Sequence, residues 1–184
     1  PSPPPPAAPP FPAWPVDGVQ VRRPEDLRAL LGAVGDAPRI AELVGERIRL
    51  NGSEFVVREN VRLTLFSRQR TTLDAEGRSR LFTVLGALEL SGIDLVGGRS
   101  GEGIGGGLLV SGSAVLTNVS IVNCTLDGRS LGSTASLNLL GGAIAVTSQG
   151  SLELRHTIIA RAMINATDLG SANGAAVHVG IRSS

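Results

Sequence analysis

The chain contains no lysine and no tyrosine, and its 184 residues include one Trp, four Phe and one Cys. Because the aromatic side chains that fill most globular cores are scarce, we expect a core of Leu, Val, Ile and Ala. A single cysteine excludes an intrachain disulfide framework, and we expect Cys124 to be a small buried apolar residue. Basicity that comes only from arginine is typical of a GC-rich coding sequence, so we draw no functional prediction from it.

Long apolar runs and runs of like charge are also missing. No stretch approaches the ~20 apolar residues that a membrane-spanning helix needs. The formal net charge is +1, which gives no electrostatic footprint for nucleic acid or anionic lipid. We therefore predict no nucleic-acid partner and no membrane span in this segment.

Proline is concentrated at one end, since residues 1–15 hold nine of the eleven prolines. We predict an extended polyproline II segment or linker here. The run from Ser2 to Pro6 resembles the motif of hydroxyproline-rich cell-wall glycoproteins of green algae and plants. That resemblance implies that the hydroxylation and O-glycosylation candidates are Pro3, Pro4, Pro5 and Pro6. Because the chain begins at Pro1 without Met, we expect a processed form or a fragment.

A short strand over 16–21 and a helix over 24–34 are predicted next. Pro24 suits the first helical turn, Glu25 and Asp26 complement the helix dipole, and Gly32 or Gly35 can end the helix. Its leucines lie on one face, which predicts a helix that caps the open end of a repetitive fold.

The remainder is organised by a repeat. Residues 88–95, 114–121 and 152–159 have mostly aliphatic residues at their first, third, sixth and eighth positions, with a two-residue corner between. This pattern predicts parallel stacking of Leu90, Leu116 and Leu154 on one inner face. The intervals are 26 and 38 residues, so the extra residues around 126–138 are predicted to leave the coil as a loop.

The order of blocks within 71–122 resembles the right-handed parallel β-helix of the pectin-lyase-like superfamily. The blocks are residues 72–77, 80–84 and 88–93, followed by the Gly-Gly-aliphatic run at 106–110. The resemblance spans roughly 17–181 and implies an all-β solenoid over 16–184 with the capping helix. The last repeat begins close to the C-terminus, so we expect the solenoid to continue beyond 184.

Four of the seven asparagines lie in Asn-x-Ser/Thr sequons, more than chance predicts for this composition. The N-glycosylation candidates are Asn51, Asn118, Asn123 and Asn165. An alternative explanation is that Ser and Thr are common at the corners of repetitive β folds. We expect secretion, with Asn118 and Asn123 pointing outward.

Enzymes that the β-helix resemblance implies need converging acids. Lyases of this kind hold Ca²⁺ on carboxylates of neighbouring coils and use Arg or Lys as a base, and the hydrolases use two or three Asp. The repeat places Ser120 and Ile158 at the positions equivalent to Asp94, and places Val115 between Glu89 and Glu153. No ladder of acids is therefore predicted, and we interpret these acids as a solvated outer face.

Other candidate residues are interpreted as structural. Arg155 and Arg161 are possible lyase bases but are assigned to a solvated face or turn, and His156 and His178 have no acidic partner nearby in sequence. The Gly-rich stretch 97–107 lacks the ending of a phosphate-binding loop and is predicted to be a mobile turn. We predict no catalytic residue, no cofactor and no metal.

Three functions stay open. The first is a non-catalytic extracellular structural or adhesive glycoprotein of a cell wall, matrix or surface appendage, which binds a protein or polysaccharide of that assembly or self-associates through open β-helix ends. The second is a polysaccharide lyase or hydrolase whose catalytic coils lie elsewhere in the full chain or in the 126–138 loop. The third is a bacterial secreted adhesin or autotransporter passenger, which the source organism would separate from the first.

Overall fold

Parallel β-strands dominate the structure, a computed structural model that describes residues 19–33, 35, 37–101, 103–127, 138–165, 171–173 and 176–179. The Pro-rich segment 1–15 lies outside the described residues. The described residues form one helix, α1 (Pro24–Gly32), and 21 strands. The strands are β1 (Val19–Val21), β2 (Arg39–Leu43), β3 (Arg47–Arg49), β4 (Phe55–Val57), β5 (Arg62–Phe66), β6 (Thr72–Asp74), β7 (Phe82–Val84), β8 (Ala87–Ser91), β9 (Asp94–Val96), β10 (Arg99–Ser100), β11 (Leu108–Val110), β12 (Ser113–Thr117), β13 (Ser120–Val122), β14 (Thr125–Asp127), β15 (Asn138–Leu140), β16 (Ile144–Val146), β17 (Ser151–Arg155), β18 (Ile158–Ala160), β19 (Met163–Asn165), β20 (Ser171–Asn173) and β21 (Val177–Val179).

The strands stack in coils, each of which contributes one strand to several sheets. Sheet A has the order β1-β2-β5-β8-β12-β17, sheet B the order β3-β6-β9-β13-β18, and sheet C the order β4-β7-β11-β16-β21. Two smaller sheets, β10-β14-β19 (sheet D) and β15-β20 (sheet E), complete the later coils. Every pairing between the described strands is parallel, as the predicted solenoid requires. We number the coils by their sheet A strands, from coil 1 (β2) through coil 2 (β5), coil 3 (β8) and coil 4 (β12) to coil 5 (β17).

The predicted stacking register is confirmed. Leu116 pairs with Leu90 on one side and with Leu154 on the other. Leu90 and Leu116 are fully buried, whereas Leu154 is 40% exposed because coil 5 is the last coil that the structure describes. The interior is almost entirely aliphatic, and its two largest fully buried side chains, Phe55 and Phe82, contact each other with tilted rings whose centroids are 5.6 Å apart.

Two corners set the shape of each coil. A residue with positive φ precedes an inward-pointing residue at both corners, so the chain turns while the interior stays filled. The corner between sheets A and B uses Gly92 (φ 66°), Asn118 (53°) and His156 (49°), and the corner after sheet B uses Gly97 (67°), Asn123 (57°) and Arg161 (53°). Asn tolerates this conformation better than most residues, and three of the four sequon asparagines adopt it, because Asn51 also has positive φ (56°).

Helix α1 packs on β1 and β4 at the N-terminal end of the stack. Leu27 is fully buried, and Leu30 and Leu31 pack against the core. The carboxylate of Asp26 accepts hydrogen bonds from the backbone N–H groups of Arg22 and Arg23, which begins the helix and lowers the pKa of Asp26. The helix ends at Gly32, earlier than the predicted 24–34, because Ala33 is extended (ψ 147°). Val34 lies outside the described residues.

The predicted loop at 126–138 is wrong at both ends. Leu126 is buried in β14 and pairs with Ile164, and Asn138 begins β15. Residues 128–137 between them lie outside the described residues. Within the part of the chain that the structure describes, no helix is long and apolar enough to cross a membrane.

Candidate functional site

Ion pairs run from one described coil to the next, some on the outer surface and some partly or fully buried. Each pair joins an arginine to a carboxylate about one coil away in sequence. The pairs are Arg68–Glu42 (3.8 Å), Arg47–Asp74 (3.1 Å), Arg49–Glu76 (3.9 Å), Arg70–Asp94 (2.8 Å), Arg80–Glu54 (2.9 Å) and Arg99–Asp127. The neighbours of these carboxylates on the adjacent coils are therefore guanidinium groups. A polysaccharide lyase or hydrolase would need further carboxylates at such positions.

The strand register confirms the residues that the repeat predicted beside the acids. Asp94 pairs with Ser120, which pairs with Ile158, and Val115 lies between Glu89 and Glu153. On the other side, Asp94 pairs with Thr72. The described residues contain no group of three or more His, Cys, Asp or Glu that would suit a metal ion.

The two arginines considered as bases lie on exposed positions of coil 5. Arg155 donates a hydrogen bond of 2.7 Å to Glu153, and this contact raises the pKa of Arg155 above its already high usual value. The neutral guanidine that proton abstraction needs is thereby disfavoured. Arg161 is an exposed corner residue with positive φ, and so is His156, while His178 lies in β21 beside Ala145. None of these four residues lines the polar cleft described below.

Arg80 is a buried arginine that the sequence analysis did not identify, and it lies in coil 2 just before β7. The side chain of Arg80 is 4% exposed and pairs with Glu54 of coil 1. Its guanidinium also donates to the carbonyls of Ile104 and Gly105, at 3.0 and 2.8 Å, and to Ser100 Oγ at 2.9 Å. Arg80 thus joins three successive coils. The sequence feature that could have indicated a buried arginine is its position directly before two buried residues, Leu81 and Phe82.

A shallow cleft of about 220 Å³ opens beside Arg80. Its walls include Glu54, Ser79, Arg99 and Ser100. The hydroxyl oxygen of Ser79 is buried there without a hydrogen-bond partner. Because each arginine of the cleft pairs with an acid, the cleft is polar but close to electroneutral.

The Gly-rich stretch is more structured than a mobile turn. It contains β10, and two of its carbonyls accept hydrogen bonds from Arg80. Close packing explains its composition, because a Cβ at Gly106 would lie 2.2 Å from the carbonyl oxygen of Gly142, and one at Gly98 would lie 2.7 Å from Gly107 Cα. The stretch brings two backbone segments together, and glycine is the residue that permits this.

The four sequon asparagines lie at or near the surface. Asn51 and Asn123 are exposed, and Asn118 and Asn165 are half-buried. The side-chain oxygen of Asn118 accepts a hydrogen bond of 3.1 Å from Arg70, which leaves its amide nitrogen outside that contact. The hydroxylation candidates Pro3, Pro4, Pro5 and Pro6 lie outside the described residues.

Comparison of the chain with protein-family models, with curated proteins and with solved structures gives no match in any of the three.

Proposed function

We propose that this chain is a non-catalytic scaffold of an extracellular structural or adhesive glycoprotein, such as one from a cell wall, matrix or surface appendage. The observation that carries the proposal is the pairing of outer carboxylates with arginines of neighbouring coils. Each such pair neutralises the charge that a polysaccharide lyase would use for Ca²⁺ or that a hydrolase would use as acid and base. A surface built in this way stabilises the stack, and the acids of these pairs are engaged by guanidinium groups.

The scaffold that we propose is the right-handed parallel β-helix of the pectin-lyase-like superfamily, preceded by a Pro-rich segment like that of hydroxyproline-rich glycoproteins. Parallel strands joined by crossovers are nearly always right-handed, which supports this handedness. The all-parallel pairing and the two-residue corners are compatible with it. A crystal structure of the chain tests the handedness, and a left-handed coil would contradict the superfamily assignment.

Secretion and glycosylation are part of the same proposal. It is supported by the positions of Asn118 and Asn123 at corners, where a glycan would project from the coil without displacing interior residues. Coil 5 leaves Ile158, Met163 and Val179 more than half exposed, which supports a further coil or a partner of the assembly on that end. The expected ligand is a protein or polysaccharide of the same extracellular material.

Activity assays on pectate, alginate and related polymers with added Ca²⁺ test the scaffold proposal. We expect no turnover. Turnover that disappears in the Arg155→Ala or Arg161→Ala variant would replace the scaffold with a lyase. Intact-mass measurement before and after glycan removal tests secretion through a glycosylating pathway.

A polysaccharide lyase or hydrolase remains the second candidate, and the cleft beside Arg80 favours it. Glu54 and Arg80 place a carboxylate and a guanidinium in the wall of a polar cleft, where they could hydrogen-bond to sugar hydroxyls. Activity that is lost in Glu54→Gln, with unchanged thermal stability, would establish this candidate.

A further inference from the structure

The coil 5 end of the described stack is an open edge. In each of the five sheets the strand order ends on a coil 5 strand, which is β17 in sheet A. Four large apolar side chains of this coil are at least 40% exposed: Leu154, Ile158, Met163 and Val179. Leu154 and Val179 extend columns whose next members, Leu116 and Val146, are buried. A partner on this end would therefore complete columns that are already buried one coil away.

The opposite end of the stack is closed by α1. The helix packs on β1 and β4 and buries Leu27. Two arginines hold it in place, because Arg28 donates a hydrogen bond of 2.8 Å to the carbonyl of Leu50 and Arg39 donates one of 2.8 Å to the carbonyl of Leu31. A second chain that stacked its coil 5 here would have to displace the helix. Head-to-tail stacking is therefore disfavoured, and the contact that suits two copies joins coil 5 to coil 5, which closes as a dimer.

The geometry of β17 limits how two such ends can meet. It is the longest edge strand of this end, with five residues. A two-fold axis through the middle of β17 keeps the two interiors aligned and makes the two β17 strands antiparallel. Because side chains alternate between the two faces of a sheet, inward residues must lie opposite inward residues. Two central registers satisfy this condition: Leu154 opposite Leu154, or Glu153 opposite Glu153.

Charge distinguishes these two registers. Glu153 and Arg155 flank Leu154 on the outer face, where their side chains are 53% and 58% exposed and lie 2.7 Å apart. With Leu154 opposite Leu154, each Glu153 lies opposite Arg155 of the other copy, so the four charges alternate in sign. With Glu153 opposite Glu153, like charges lie directly across from each other, which is destabilising. The charge pattern of β17 therefore complements a second copy of itself in the first register.

We propose that two copies of this chain associate through their coil 5 ends, with antiparallel β17 strands and Leu154 opposite Leu154. This inference rests on the proposed function in one respect, since it names a second copy as the partner that the scaffold takes at this end. One coil end is a small interface, so we expect a dissociation constant in the micromolar range or weaker. Well below that concentration the chain is a monomer in which Leu154 is exposed.

Analytical ultracentrifugation of the full chain, from submicromolar to submillimolar concentration, tests the dimer. We expect the mass to double as the concentration rises. Glu153→Arg and Arg155→Glu should each weaken the association by about tenfold or more, because like charges then lie opposite each other. A mixture of these two variants should form a heterodimer, since every facing pair again has opposite charges. The double variant Glu153→Arg/Arg155→Glu should dimerise as the unmodified chain does.

The matched control is Glu46→Arg, which changes the net charge equally at an exposed position of coil 1. It should leave the association unchanged. The mixture and the double variant also show that the single variants are folded, because a misfolded chain would not regain association when the charges are complementary.

Three results would overturn the proposal: a monomer at all concentrations, oligomers that grow beyond two copies, or a dimer that Glu153→Arg and Arg155→Glu leave unchanged. A double variant that fails to associate would overturn the register with Leu154 opposite Leu154. A monomeric chain without turnover on pectate would remove the dimer and leave the scaffold proposal intact. Turnover by a dimeric chain would remove the scaffold proposal and leave the dimer intact.

Discussion

Leu116 lies directly beside Leu90 in the parallel register of sheet A, and both side chains are fully buried. Replacing Leu116 by Ala removes buried methyl groups and leaves a cavity between two coils. We expect a loss of roughly 2–5 kcal/mol in the free energy of unfolding, measured by urea denaturation.

Leu154→Ala is the matched control, since Leu154 occupies the same column but is 40% exposed. Its loss should be about half as large or less, because less apolar surface returns to water. Equal losses for the two variants would show that coil 5 is covered as completely as coil 4.

Gly106 tests the close approach of backbone segments in the Gly-rich stretch. A Cβ at this position would lie 2.2 Å from the carbonyl oxygen of Gly142 and 2.6 Å from that of Thr125. Gly106→Ala should therefore lower stability by roughly 1–3 kcal/mol or more through overpacking. Gly32→Ala meets no atom within 4 Å and should leave stability unchanged or raise it by up to about 1 kcal/mol. Similar thermal midpoints for Gly106→Ala and the unmodified chain would contradict the packing.

The repeat in the sequence was sufficient to predict the parallel stack and its register. Period-two alternation identifies the inward residues. A shift of the strand register by one residue would turn all of them outward, so the pattern constrains the strand pairing strongly. For that reason Leu90, Leu116 and Leu154 were placed correctly, as was Val115 between Glu89 and Glu153.

Features that depend on contacts between turns were not predicted. Arg80 belongs to an alternating segment, yet its partners Glu54, Ile104 and Gly105 come from the coils before and after, through turns of irregular length. The Gly-rich stretch was interpreted from its composition as mobile, because sequence alone does not reveal which backbone lies against it. The Pro-rich segment and the modification of its prolines stay predictions.

The ion pairs between coils should differ widely in their contribution to stability. Arg80 is almost completely buried and holds two carbonyls in addition to Glu54. Arg80→Met should cost roughly 3 kcal/mol or more, because it leaves those acceptors without their donor. Arg70 is 43% exposed, so Arg70→Met should cost less than about 1 kcal/mol, and less at high salt. Urea denaturation at low and high salt measures both, and equal losses would contradict this ranking.

The buried thiol of Cys124 should make the stability of the fold depend on pH in the alkaline range. Burial raises the pKa of its thiol from 9.0 to about 11. Above pH 9 the unfolded chain releases this proton while the folded chain retains it, so stability should fall between about pH 9 and 11. The absence of Lys and Tyr leaves no other side-chain type titrating in this window. Cys124→Ala should remove the fall, and a fall that persists in this variant would exclude the thiol as its cause.

The sequon at Asn123 offers a test of glycosylation that leaves the corner intact. Asn123 has φ 57°, so replacing it would strain the turn and confuse loss of glycan with loss of fold. Thr125→Val removes the acceptor signal from a half-buried strand position instead, and Ser120→Ala does the same for Asn118.

After secretion from a glycosylating eukaryotic host, we expect intact mass to fall by one glycan in at least one of these variants. Because Asn123 is exposed and Asn118 is half-buried and bonded to Arg70, the larger glycan occupancy is expected at Asn123. A secreted chain whose mass is unchanged by both substitutions and by glycan removal would show that these sequons arise from the corner geometry alone.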